Sequence, residues 1–568
     1  MKLRRAVPRA LGQLCRHGLR CWGVDVAALV CCFVAWSIAW QQVQDLRWPC
    51  ETDFYRDLGA AQSILDGQGH VDPGYLGERW WYNPLVPAMV ALASTLTRMP
   101  LHQVYTTIGS HLNLLAPVAF FAMVAQLFNR RIALASLVGF LFLGPLELMS
   151  WLHATYSPWL WPCNFAQGLF YLAIVLLISA FRTKRVLPAV LAGLAAGLTA
   201  LAHTAPALIL ALITAGQAAR ELATWRRNSK LVRRICMQLG IVGIVAIATS
   251  APFWFDIVVR YRLHVVNPAP LQWVAGELTT EHWPDLFRRL LSVRGVVAAA
   301  GLVQLLLGTK RYSQDSKHAL AMWGGAALAG LSYGFAAQRI QLPPMLPSWH
   351  FHFYLQSLES VLFGVGLVAL AALLCRLVIY ARTDLVALRP RLERGAFALS
   401  LMGLVVAVGL RCNEYKNRPD LSVNRRDSLA YANASTTELY EWVLTQARPT
   451  DVFLADPWVS FRAVVAAGRK TVDLPPLFSN PYVKLEERSR AASTMYDHVE
   501  QARWEMLVAA ARPYKVRYVV LPSARRSSIK RNSILCRIFS SQDAEQGNDL
   551  YEIVDPGPTL AQPSPERN

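Results

Sequence analysis

The chain has 568 residues, of which 54% are hydrophobic and 17% charged, against about 25% charged in ordinary soluble domains; its mean hydropathy is +0.28. Apolar residues gathered into long runs exclude a soluble enzyme and predict a polytopic α-helical membrane protein. The formal net charge of +20 falls in short clusters between those runs rather than on one patch, which argues for membrane topology and against nucleic-acid binding.

The basic segment 1–23 precedes an apolar run at 24–41 that ends in Trp36 and Trp40 and carries no small-residue cleavage site, so it is expected to be an uncleaved signal anchor. Further runs follow at 104–128, 131–149, 164–181, 186–202, 206–220, 235–253, 294–308, 319–336, 355–375 and 395–410, giving eleven expected spans. The apolar piece 84–97 is too short to be another. As a helix it reaches about 21 Å against a hydrocarbon core of ~30 Å, and it is expected to lie at the interface.

Charge orients these spans. With the N-terminus inside, the inner segments hold 25 Lys and Arg in 74 residues, and the outer loops hold 9 in about 140. Counting 84–97 as a span would invert every later loop and violate the positive-inside rule. The expected setting is therefore an integral membrane protein, of the inner membrane if the host is bacterial. Its N-terminus is cytoplasmic and its C-terminal region extracytoplasmic.

Residues 411–556 change pattern. DVFLAD (451–456), RKTVDLP (469–475), VRYVVLP (516–522) and DLYEIV (549–554) look like strands, while 460–468 and 485–511 look helical. The alternation predicts a small α/β domain, followed by a Pro-rich tail, 557–568, expected to be disordered. Ten cysteines form no metal spacing. Cys50, Cys163, Cys412 and Cys536 fall on the expected outer side, where a disulfide is chemically allowed but not assignable from sequence.

Chemistry concentrates in the first outer loop, 42–103, which opens with ETDFYRD (51–57). Phe54, Leu58, Ala61 and Leu65 repeat at helical spacing after Asp53 and end before Gly67, predicting a short amphipathic helix along the membrane surface. Asp53 fits either the N-cap of that helix or a general base at the membrane surface. Glu51 is its neighbour and the alternative base. The same loop carries Glu78, Trp80, Trp81, Tyr82 and Asn83 in GERWWYNPLVP (77–87), of which the tryptophans fit an aromatic belt and Glu78, Tyr82 and Asn83 remain candidate binding residues.

Loop 150–163 holds His153 and Tyr156 but no acid, and suits aromatic anchoring. His203 sits in a two-span turn, where packing or capping is the commoner role. Loop 254–293 offers His264 among scattered acids, too loosely spaced for a metal motif. Arg339, His350 and His352 in 338–356 stand just before a span, where cationic or hydrogen-donating groups suit a lipid phosphate.

The order of these parts resembles the GT-C superfamily of membrane glycosyltransferases, which includes aminoarabinose transferases, protein O-mannosyltransferases and oligosaccharyltransferase catalytic subunits. An acid follows the first span, juxtamembrane helices fill the first outer loop, many spans follow, and a C-terminal domain lies outside. The likeness covers the layout of most of 20–410 and is residue-specific in 51–87. It implies a GT-C-like transmembrane domain over 24–410 that moves a sugar from a polyprenyl-phosphate donor lipid to a glycan, lipid or protein acceptor, with inversion.

The same resemblance places the catalytic acid at Asp53, with Glu51 second. Donor phosphate contacts fall at Arg339, His350 or His352. It allows a divalent metal ion as cofactor, although many members carry a second acid in the second outer loop and 150–163 has none. Two other classes remain open at this level. A lipid flippase or transporter would place ionisable residues mid-span, and a non-catalytic scaffold or receptor would use 411–568 to bind a partner.

Overall fold

The structure is a computed structural model. It describes residues 6–554 except 51, 145–151, 273–287, 289–290, 309–311, 341, 344–345, 382–387, 411, 433–434, 527–528, 530–533 and 544. Glu51 and much of loop 254–293 therefore lie outside the described residues, as does the tail.

Helices account for the first three-quarters of the chain. In order they are α1 (Ala6–Val43), α2 (Thr52–Leu65), α3 (Leu85–Thr97), α4 (Leu101–Leu112), α5 (Leu115–Leu127), α6 (Arg130–Phe142), α7 (Pro162–Thr183), α8 (Val186–Ala202), α9 (Thr204–Trp225) and α10 (Ser229–Trp254), then Val293–Leu307, Gln314–Ile340, Trp349–Ala381 and Arg389–Leu410. Each of the eleven expected spans overlaps helix. Among the described residues, however, eight helices are long and apolar enough to cross a membrane, not eleven. Over the described residues, the runs at 131–149, 186–202 and 294–308 hold the shorter helices α6, α8 and Val293–Leu307, of 13, 17 and 15 residues; residues 145–149 lie outside them. Residues 84–97 form the 13-residue helix α3.

The bundle closes where backbones approach. Helices Val293–Leu307 and Trp349–Ala381 cross at Gly301 and Gly366, and a Cβ on either would collide with the carbonyl oxygen of Leu362 or Val297. Small residues at such crossings let dispersion replace the hydrophobic drive that is absent in lipid. α7 packs on α5 and α8, and α6 packs on Trp349–Ala381.

The C-terminal region carries a mixed five-stranded sheet in the order β2-β1-β3-β5-β4. Its strands are β1 (Val452–Leu454), β2 (Lys470–Thr471), β3 (Val516–Pro522), β4 (Leu535–Phe539) and β5 (Asn548–Ile553). β1 pairs parallel with both β2 and β3, while β5 runs antiparallel to β3 and β4. β4, LCRIF, has no clean apolar alternation and is not legible from sequence. Cys50, Cys163 and Cys536 form no disulfide among the described residues, and the Cys412 side chain is outside them.

This sheet is tied to the first long loop. Arg469 Nη1 lies 2.6 Å from Asp66 Oδ2, Lys470 Nζ donates to the Asp72 carbonyl at 2.6 Å, and Asn480 donates to Asp72 Oδ2 at 2.8 Å. The Thr471 amide donates to the Gly74 carbonyl at 2.7 Å. α2 meets the helical segment Ser460–Val465 at Gly59, where any Cβ would run into the Val465 carbonyl.

Candidate functional site: a cavity over α2

α2 forms where the sequence predicts, but its polar face is not turned to water. Residues 54–61 are all buried, because α3, α4 and the C-terminal segment Ser460–Val465 cover the helix. The amphipathic pattern marks a helix lodged between layers rather than one lying on a surface. Arg56 and Asp57 are consequently sequestered, at 5% and 0% exposure.

Buried charges need partners, and these have them. Arg56 Nε donates to Asp57 Oδ1 at 2.9 Å, and Arg56 Nη1 donates to Asp53 Oδ1 at 3.1 Å, one helical turn back. Tyr105 donates its hydroxyl to Asp57 Oδ2 at 3.0 Å. The guanidinium lies 3.5 Å above the Tyr82 ring. Burial works against the Arg56 cation, but the carboxylates of Asp57 and Asp53 outweigh it and hold its pKa above the ordinary arginine value. Burial raises the Tyr82 hydroxyl.

Above this pair opens a cavity of about 250 Å³. α2 contributes Asp53 and Arg56, and the following loop contributes Trp81 and Tyr82. The start of α7 adds Trp161, Pro162 and Cys163; the turn between α8 and α9 adds His203; the start of Trp349–Ala381 adds Trp349 and His350. Pro270, Pro347, Leu477 and Phe478 complete the wall. Asp53 keeps 34% of its side chain exposed, against 6% for Arg56.

The His203 and His350 rings meet edge to face at 4.4 Å between centroids. Burial first, and Arg56 beyond it, depress His203 to about 3, so it is neutral at pH 7 and offers hydrogen bonds rather than charge. Four buried nitrogens on these walls, Arg56 Nη2, His203 Nδ1, His350 Nδ1 and Trp161 Nε1, have no hydrogen-bond partner among the described residues. Buried polar groups are rarely left so, and a cavity edged by several nitrogen donors suits a ligand rich in acceptor atoms.

Of the residues singled out in the sequence, the fold brings Asp53, Tyr82 and His350 to this cavity. It does not bring Glu78, whose Oε2 accepts from the Tyr261 hydroxyl at 3.1 Å, nor Asn83, which donates to the Ala200 carbonyl at 2.7 Å and ties the loop to α8. His352 lies 3.2 Å from Gln356 Nε2 on another face of its helix. Arg339 and His264 are exposed, away from the cavity wall. Residues 152–161 are buried throughout and form an internal plug rather than an interfacial anchor. Trp159 there donates to the Asp420 carbonyl at 2.7 Å.

Arg56 and His203 line the cavity although the sequence does not mark them as candidates; His203 reads there as a packing or capping residue. Arg56 carries a signal, since it stands one turn after Asp53. His203 carries none, because its approach to His350 is tertiary. Among the described residues no three His, Cys, Asp or Glu side chains converge as a metal site.

No protein-family model and no curated protein matches the chain. Solved structures do. The chain is similar to ArnT from Cupriavidus metallidurans bound to undecaprenyl phosphate, with TM-score 0.53 and 12% identity over 95% of this chain and 99% of that one. It is also similar to the Archaeoglobus fulgidus oligosaccharyltransferase tethered with an acceptor peptide containing the NVT sequon, with TM-score 0.53 and 12% identity over 89% and 69% of the two chains. A third likeness is to the oligosaccharyltransferase AglB of Archaeoglobus fulgidus in complex with an inhibitory peptide and a dolichol-phosphate, with TM-score 0.51 and 13% identity over 89% and 70%.

The chain has the GT-C fold. The likeness runs through the membrane helices and the C-terminal region alike, since it covers most of the chain. At this identity it carries the architecture and not the residues, so the chemistry of the GT-C cavity rests on the side chains described above.

Proposed function

We propose that the chain is a membrane glycosyltransferase that moves a sugar from a polyprenyl-phosphate lipid to an acceptor hydroxyl or amide on the extracytoplasmic face. The observation that carries this reading is the pairing, in one cavity of a GT-C fold, of a solvent-reachable carboxylate with a cluster of unsatisfied buried nitrogens. The carboxylate is Asp53; the nitrogens belong to Arg56, His203, His350 and Trp161. The solved neighbours bound to undecaprenyl phosphate and to dolichol-phosphate support a lipid phosphate as the donor's anchor.

The roles follow from the chemistry. Asp53 accepts the proton of the acceptor group as its heteroatom forms a bond to the anomeric carbon. The bond from that carbon to the phosphate oxygen breaks, and its electron pair goes to the departing lipid phosphate. Arg56 supplies positive charge where that negative charge develops, and His203, His350 and Trp161 supply hydrogen bonds in a site shielded from water. Asp57 and Tyr105 touch neither partner; they hold the guanidinium in place. A single displacement inverts the anomeric centre. Glu51 remains the alternative base in this proposal.

The test compares the surface and lipid-linked glycans of cells with the chain, without it, and with Asp53→Asn. Loss of a general base lowers the rate by about 10²–10⁴, so the Asn variant is expected to reproduce the glycan defect of the deletion at normal protein level. A full glycan complement in Asp53→Asn cells would sink the assignment of Asp53. A full complement in the deletion would sink the transferase reading itself.

A further inference from the structure

A second cavity lies in the C-terminal sheet. From β1 the chain runs through Pro457–Val465 to β2 on one side. From β2 it runs through the helices Leu485–Glu500 and Trp504–Ala511 to β3 on the other side of β1. The two connections run in opposite directions along the sheet, one from β1 outward to β2 and the next from β2 back past β1 to β3, so the gap between β1 and β3 is a topological switch point. In open α/β sheets ligands bind at such a point, outside the carboxyl ends of the strands.

A crevice of about 610 Å³ opens there, lined by Ala455–Pro457 at the carboxyl end of β1 and Val520–Pro522 at that of β3. That volume is within the range of ~300–1,000 Å³ usual for small-molecule sites. One face of Leu485–Glu500 makes the third wall, with Ser489, Ser493, Tyr496 and Asp497 at helical spacing.

The wall is rich in fixed acceptors. Buried Asp473 takes bonds on Oδ1 from Ser489 Oγ at 2.8 Å and from the Leu474 amide at 2.9 Å. Asp456 Oδ1 caps the turn at Trp458 and Val459 at 2.9 and 3.3 Å. These bonds all fall on one oxygen of each carboxylate, which leaves acceptor capacity on both residues in a solvent-reachable crevice that Asp497 also lines. Among the described residues the cation on this wall is Arg525, 2.5 Å from Glu500. Tyr496 is half-buried, and its hydroxyl donates to the Val520 carbonyl at 3.4 Å, which fixes the ring as an aromatic side of the crevice.

Carboxylates held by backbone and serine donors demand a ligand that donates, and their charge repels an anion. An aromatic wall beside them suits the apolar face of a sugar ring. We propose that the switch-point crevice binds a neutral or amino-sugar glycan, and that this glycan is the acceptor; the second half of the statement rests on the transferase reading above. The segment Asp473–Phe478 joins the two sites. Asp473 lines the crevice, and Leu477 and Phe478 line the cavity over α2, with the Trp458 and Phe478 rings 6.1 Å apart. On this proposal a glycan seated in the crevice would extend along this segment toward the cavity that holds Asp53.

The test applies the full chain in detergent to an array of neutral, amino and acidic glycans and of basic peptides. Neutral or amino glycans are expected to bind. Binding should weaken at least about tenfold, ~1.4 kcal/mol, in the double variant Asp473→Asn, Asp497→Asn. Because Asp473 is buried, Ser493→Trp is the second variant; it fills the crevice from an exposed helical position and should abolish binding with an unchanged melting temperature. Asp53→Asn should bind like the unaltered chain. Binding of no glycan, of acidic glycans or basic peptides alone, or binding unaffected by Ser493→Trp would overturn the proposal. Binding that persists while Asp53→Asn still transfers sugar would instead overturn the catalytic assignment and leave the crevice standing.

Discussion

The cavity over α2 and the crevice between β1 and β3 both have carboxylates in or beside their walls, yet they use them in opposite ways. Over α2 the charges are locked together. Asp57 is fully buried against Arg56 and Tyr105, and Arg56 shares itself between Asp57 and Asp53. In the crevice between β1 and β3, Asp473 is buried, but Asp456, Asp497 and Glu500 are exposed, and the Arg525–Glu500 pair is about half exposed on both sides. Burial makes charge rigid and costly to disturb, whereas exposure leaves it cheap and available. The first arrangement suits a fixed reaction geometry, and the second suits recognition of a ligand that brings its own donors.

The largest effect should come from breaking the buried pair. Asp57→Asn leaves Arg56 with one partner, and removal of one side of a buried ion pair costs about 3–5 kcal/mol. Chemical unfolding of the purified chain should show a loss in that range. A loss no greater than that of an exposed pair would erase the contrast between the regions.

Arg56→Lys keeps the charge but not the planar fork that bridges Asp57 and Asp53. Transfer is expected to fall by about 10²-fold, as for loss of one transition-state donor, with stability changed less than in Asp57→Asn. An unchanged rate would show that the guanidinium only braces α2.

His203 sharpens the contrast through pH. Burial, and then Arg56, place its folded pKa at about 3, against an ordinary 6.5. The unfolded chain therefore binds the extra proton in the window between these values. Stability is fully present above pH 6.5 and falls as pH drops toward 3, with a limiting slope of about 1.4 kcal/mol per pH unit. His203→Gln should flatten that slope between pH 6.5 and about 3 in thermal unfolding. A slope that survives the substitution would assign the titration to another group.

The smallest effect belongs to the crevice rim. Arg525→Ala removes an exposed pair with Glu500, and such pairs contribute about 0–1 kcal/mol. A larger loss in unfolding experiments would mean that the rim carries structure and is not reserved for recognition.

Period and composition, which the sequence holds by itself, determined the elements. The low charged fraction and the apolar runs placed helix at every expected span, the 3.6-residue repeat after Asp53 placed α2, and the alternating segments after 450 placed four of the five strands. The same local signals put Asp53, Tyr82 and His350 among the candidates, because an acid soon after the first span and polar groups just before another are unusual in a chain this apolar. Which helices are long enough to cross, and that α2 is buried rather than laid on a surface, depended on neighbours that no local pattern encodes. The same holds for the cavity. His203 meets His350 where α9 packs on Trp349–Ala381, and Leu477 and Phe478 reach the cavity from far along the chain, in a region held to the first loop by close backbone packing at Gly59 and by Arg469 and Lys470. The switch-point crevice was invisible for the same reason: strand order is set by pairing in space, and the residues that line it look, in sequence, like an ordinary solvated helix and two short turns.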